Sequence, residues 1–168
     1  MKQEIQDKLD KVFDKKRQAE TAAAAAKSAQ EKKEIEAVLK FKEIRESMIR
    51  PTMQQFADYL GNKGHAAEIL MDEEKYVGSG ANRRLVAPSI RLLISPNSGA
   101  PKRHALYAQN PHFEVILEKS LSKVCFHEST MGASGSGHAG KCGEADLDKL
   151  TGDTLEPLIT KTISNVFG

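Results

Sequence analysis

Between Lys2 and Ile49 the chain contains neither glycine nor proline, and an unbroken run of alanines, Ala22 to Ala26, sits near the middle of that stretch. Glycine and proline are the residues that most readily interrupt a helix, and alanine is the one that best sustains it. A continuous helix is therefore expected, and at about 1.5 Å per residue it would reach on the order of 70 Å. A chain of 168 residues cannot bury such a rod against itself. The remaining residues switch to strand-like alternation, so the expected fold class is α+β. In it, a long coiled-coil-like N-terminal helix precedes a small antiparallel sheet of four to five strands, packed with a second helix and a C-terminal helix. Residues 1–50 form the arm and 51–168 the compact domain.

The arm carries a heptad-like seam. Ile5, Leu9, Val12, Ala19, Ala23 and Ala26 follow alternating steps of four and three, with Lys16 in the position between Val12 and Ala19. Small alanines allow close helix approach but bury little area, so the seam is weak per turn. It fades at Gln30 and Lys33, then resumes in a shifted frame at Ile35, Val38, Phe41, Ile44 and Met48. The first half is expected to pair with another chain and the second to pack on the sheet, because isolated helices gain most of their stability from packing; a single solvent-exposed helix held by charge pairs and alanine propensity is the alternative. The charges of the arm, 13 Lys/Arg against 10 Asp/Glu in residues 1–50, are mixed as on a solvated helix.

Pro51 is expected to break or kink the rod, since it lacks an N–H and biases Arg50 toward extended geometry. Met53, Phe56, Ala57 and Leu60 then mark a second helix, stopped by Gly61 or Gly64. Strands are expected at Ala67–Met71, Leu85–Ser95, His104–Gln109, Phe113–Glu118 and Lys123–Glu128, with a loop over Lys75–Arg84, a turn at Pro96–Gly99 and an open loop from Met131 to Gly143. A last helix from about Thr154 to Phe167 carries Leu155, Leu158, Ile159, Thr162, Ile163 and Val166 on one stripe, with Asp153 and Glu156 near its cap and Pro157 in its first turn.

Three groups of residues invite a chemical reading. From Lys75 to Phe113 there are six basic residues and no acid. Arg83, Arg84, Arg91, Lys102 and Arg103, with Tyr107 among them, could attract nucleic acid or another polyanion. Cys125, His127, His138 and Cys142 offer a Cys₂His₂ donor set for zinc, although one residue between the first two ligands departs from the usual spacing. Gly135 to Lys141 matches part of a phosphate-binding loop. It lacks the Ser or Thr after the lysine that would hold Mg²⁺, and no helix is expected to start there.

No nucleophile turn and no carboxylate pair in an apolar setting is visible, so the chain reads as a non-enzyme with no cofactor required beyond the zinc alternative. Two cysteines, no apolar leader after Met1 and no membrane-length apolar segment give a cytoplasmic expectation. The expected role is an oligomeric interaction or scaffold protein. Its N-terminal helix joins copies of the chain or docks a protein partner; nucleic-acid binding is the alternative and a zinc-stabilised domain the weaker one.

Overall fold

The computed structural model describes residues 3–96, 110–132 and 137–168. Helix α1 runs from Gln3 to Ile44 and passes through a π-turn, Arg45–Ile49, into α2, Arg50–Asn62. The strands are β1 (Ala66–Asp72), β2 (Lys75–Val77), β3 (Arg84–Val86), β4 (Ser89–Ser95), β5 (His112–Glu118), β6 (Lys123–Ser129) and β7 (Ala139–Asp146); α3 (Gly152–Phe167) closes the chain. The main sheet has the order β1-β4-β5-β6-β7 with every pair antiparallel, while β2 and β3 form a separate ribbon. The expected α+β arrangement is the observed one.

Pro51 does not end the rod. Among its buried positions, Ala37, Phe41, Arg45, Ile49 and Met53 form a row spaced four residues apart, with Thr52 beside its end and Leu60 beyond it. In a regular α-helix such a row drifts by about 40° per step; the wider π-turn takes up the drift and keeps the row on the sheet. Arg50 N–H bonds to the Arg45 carbonyl, five residues back. Pro51 thus follows a turn that has already left the four-residue hydrogen-bond register, where its missing N–H costs least. Helix α2 ends in a Schellman motif: His65 N–H donates to the Leu60 carbonyl and Gly64 N–H to that of Gly61, both at 3.0 Å, with Gly64 at φ +83°.

One face of the sheet holds the core. Ile90, Leu92 and Ile94 of β4, Phe113, Val115 and Leu117 of β5, and Val124 and Phe126 of β6 meet Phe41, Ile49, Met53 and Leu60 from the rod and Leu155 and Ile159 from α3. Each alternates with residues that point away from the helices, as the period-two pleat requires. Fully burying a side chain of this size stabilises by about 1.5–3 kcal/mol, so the helix–sheet layer contributes most of the hydrophobic stabilisation. The C-terminal helix presents the expected stripe, but it begins at Gly152 with Thr151 as N-cap, so Pro157 lies inside the helix rather than in its first turn.

Three sequence expectations are corrected. Lys75–Arg84 is not an open loop: it includes β2, a 3₁₀ turn at Gly80–Asn82 and the start of β3. The expected strand Leu85–Ser95 is two strands, β3 and β4, separated at Ala87 and Pro88, because proline cannot donate to a ladder. The glycine-rich stretch ends not in a loop but in β7, an edge strand paired with β6. The turn Pro96–Gly99 (apart from Pro96), the strand His104–Gln109 and residues 133–136 lie outside the described residues.

Candidate functional site

The arm stands clear of the domain. Every residue from Asp10 to Lys33 is exposed, with Val12 at 62% and Phe13 at 63%. Lys16–Glu20, Arg17–Asp14 and Lys27–Glu31 pair along its surface. Such exposed pairs each supply a few tenths of a kcal/mol at most. The arm reaches the domain at Gln30, whose Nε2 donates to the Ser120 carbonyl at 3.3 Å, followed by Glu34 with Lys119 and Lys40 with Asp148. Of the seam residues, Val12, Ala19, Ala23 and Ala26 are exposed; the side chains of Ile5 and Leu9 lie outside the described ones.

The direction of that seam follows from helix geometry. Ala19 precedes the buried Ala37 by 18 residues, which is five turns at 3.6 residues each. Val12, Ala23, Ala26 and Gln30 fall within about 40° of the same line at 100° per residue. The seam is thus a continuation of the face that packs on the domain, past the point where the domain ends.

The basic residues are dispersed. Arg83 stacks over the exposed Tyr76 ring at 4.2 Å on the β2–β3 ribbon, with Arg84 beside it. Arg91 lies on the sheet face turned away from the helices, where Nη2 meets Glu114 Oε1 at 2.7 Å; Ser89 Oγ donates to the same oxygen at 2.9 Å. Its charge is therefore matched by a carboxylate on a residue only 7% exposed. Burial pushes the neighbouring His112 below the usual histidine range, against a hydrogen bond to the Asn110 carbonyl. Lys102, Arg103 and Tyr107 lie outside the described residues.

The four candidate zinc donors do not converge. Cys125 and His127 alternate with the core residues Val124 and Phe126 and point away from the helices, where Cys125 Sγ contacts Glu118 Oε2 at 3.3 Å. Cys142 packs against the core on the opposite face. A bulge in the β6–β7 pairing between Phe126 and His127 leaves Cys142 without a partner in the ladder, a shift that residue spacing does not reveal. Among the described residues no group of three or more His, Cys, Asp or Glu is placed to hold a metal ion. Both cysteines are free, and burial raises each thiol above its ordinary range. Lys141, at the end of the partial phosphate-loop match, lies in β7 and pairs with Glu144.

His138 instead joins a group that the residue pattern does not announce. Its Nε2 lies 3.0 Å from Glu128 Oε1, and its Nδ1 lies 3.3 Å from Thr130 Oγ1. Glu128 is 6% exposed; its other oxygen accepts from the buried Thr162 of α3 at 3.1 Å. Burial pushes the carboxyl upward, but the bonds from His138 and Thr162 and the nearby Lys161 charge outweigh it and hold the group below its usual range. Hydroxyl, imidazole and carboxylate are the ingredients of a nucleophilic relay. The Thr130 hydroxyl also accepts the His138 backbone N–H at 3.0 Å, and the group closes the β6–β7 hairpin and, through Thr162, ties it to α3. Glu128, two residues after Phe126 on the core face, is readable from the alternation as inward-facing; its partners, 10 and 34 residues away, are not.

No protein-family model, curated protein or solved structure matches the chain. No described helix is long and apolar enough to cross a membrane.

Proposed function

We propose that this protein is a non-enzymatic interaction or scaffold protein, in which the N-terminal helix joins copies of the chain through a coiled-coil contact and the α+β domain is the unit so displayed. The observation that carries this reading is the arm itself. From Asp10 to Lys33 it is exposed on all sides, yet Val12, Ala19, Ala23 and Ala26 form a seam in line with the domain-packing face. A solvated helix needs no such seam, and surface charge pairs alone contribute too little to account for it. A cytoplasmic setting belongs to the same reading and is supported by the two free thiols.

Sedimentation equilibrium of the full chain tests it. The wild-type chain is expected to be an oligomer, and Val12→Glu/Ala19→Glu, both at exposed sites, to be monomeric with an unchanged melting temperature. A wild-type monomer at all concentrations would sink the reading.

A second reading, polyanion binding, keeps one supporting observation: Arg83 stacked on exposed Tyr76, with Arg84 adjacent and also exposed. Retention of the chain on a phosphate-rich polymer that Arg83→Glu/Arg84→Glu leaves unaltered would remove it.

A further inference from the structure

We infer that the arm's partner is a second copy of this chain lying antiparallel to it, with Val12 of one copy against Ala23 of the other. This inference rests on the self-association proposed above and adds its geometry. The seam and the domain lie on the same side of one helix, because Ala19, Ala26 and Gln30 line up with Ala37 and Phe41, which pack into the core. That side is occupied from Gln30 onward by the Lys119–Leu121 turn, where Gln30 bonds to Ser120, and by Leu147 and Asp148, near Lys40. It is open over residues 10–29, up to that edge.

A parallel, in-register pair would set the two seams face to face along their whole length. Beyond Gln30 each helix would then require the space that the other's domain fills. It would also place Lys16 against Lys16, a like-charge contact in the centre of the seam.

An antiparallel pair removes both conflicts. Each arm lies along the open stretch of the other helix, and only the first turn of the arm, before Ile5, reaches past the level of Gln30 where the other's domain begins. In the register that centres the seam, Lys16 is level with Ala19, Val12 with Ala23 and Leu9 with Ala26, so these three larger residues are each level with an alanine. Large against small at each level is the arrangement that lets helices approach closely and fill the gap. The position of Ile5 then falls level with Gln30, beside the Lys119–Leu121 turn, where Leu121 is an apolar side chain 59% exposed. The two domains sit at opposite ends of the paired arms.

Cysteine cross-linking of the full chain tests the orientation. In a Cys125→Ala/Cys142→Ala background, Val12→Cys and Ala23→Cys proteins are mixed and oxidised with diamide, and the products resolved by mass. Antiparallel pairing is expected to give the Val12→Cys–Ala23→Cys product several-fold above either self-linked product, since a disulfide needs its Cβ atoms about 3.5–4.5 Å apart. Predominant self-linked products from a protein that native mass spectrometry shows to be dimeric would overturn the antiparallel inference and leave self-association standing. No cross-link, together with a monomeric native mass for the unmodified chain, would overturn both. Val12 and Ala23 are exposed, so neither substitution disturbs the core; if the background changes melting, the same pair is placed in the chain with its native cysteines.

Discussion

Arg45 Nη2 donates to Glu73 Oε1, joining the π-turn of the long helix to the turn that follows β1. The guanidinium is 6% exposed and the carboxylate 51%, so the pair is buried at one end and wet at the other. Lys42 approaches the same carboxylate at 2.9 Å. Removing one partner of a fully buried pair costs about 3–5 kcal/mol, and the half-exposed Glu73 places this pair well below that, at about 1 kcal/mol. Glu73→Ala is expected to lower stability by that amount in urea unfolding. Arg45→Met, which fills the same space without a charge, is expected to cost less than Arg45→Ala. The hydrogen bond from Arg45, then that from Lys42, holds the Glu73 carboxyl below its usual range. Its contribution is therefore complete above the unfolded value near about 4.3 and is lost as pH falls through the lower folded value. The melting temperature of Glu73→Gln should fall less steeply on the acid side than that of the wild type.

Thr162 and Lys161 both link α3 to Glu128 of the sheet. Thr162 is fully buried, and its hydroxyl lies 3.1 Å from Glu128 Oε2 and 3.0 Å from the Leu158 carbonyl, so its one proton is shared between two acceptors. Thr162→Val keeps the shape and removes the donor, leaving a buried carboxylate oxygen with one partner fewer; the expected cost is about 1–3 kcal/mol. Thr162→Ser should retain most of the stability. An unchanged midpoint for Thr162→Val in equilibrium unfolding would show that the bond contributes nothing.

The β6–β7 hairpin depends on one glycine far more than on its neighbour. Gly137 has φ +124°, and a Cβ there would lie 2.7 Å from the Thr130 carbonyl oxygen, whereas a Cβ on Gly140 meets nothing within 4 Å. Gly137→Ala is expected to destabilise by about 1–3 kcal/mol and to weaken the His138–Glu128 contact, visible as altered His138 backbone and ring chemical shifts by NMR. Gly140→Ala should stay within about 0.5 kcal/mol of wild type.

Pro51 is exposed and follows the π-turn, while Ile49 inside the turn is fully buried. Pro51→Ala should therefore change stability by no more than about 0.5 kcal/mol, with helical content retained. Ile49→Ala should cost about 2–5 kcal/mol. A large loss of stability in Pro51→Ala would show that the proline ring itself holds the junction.

Elements built from their own residues were legible, and elements built by a neighbour were not. The alternation of Ile90, Leu92 and Ile94, or of Phe113, Val115 and Leu117, is visible in a short window because each strand buries one face. Strand β7 has no such alternation: Ala139, Gly140, Gly143 and Ala145 are small, and Gly143 leaves room for the Phe126 ring, which a Cβ would meet at 3.2 Å. Its strand geometry is imposed by β6. The π-turn was hidden for a related reason, since Pro51 signals a break locally while Phe41, Ile49 and Met53 are drawn to one core.

The sequence by itself determined the long helix, the α+β class and the small-residue seam, since backbone propensity and hydrophobic period act over a few residues at a time. Only the tertiary structure decided that Arg91 is matched by Glu114, that Cys125 and Cys142 lie on opposite faces, and that Glu128 gathers His138 and Thr162. It also decided which side of the arm the domain occupies. Those relationships depend on strand register and on helix rotation across a π-turn, and both are fixed by packing between residues distant in the chain.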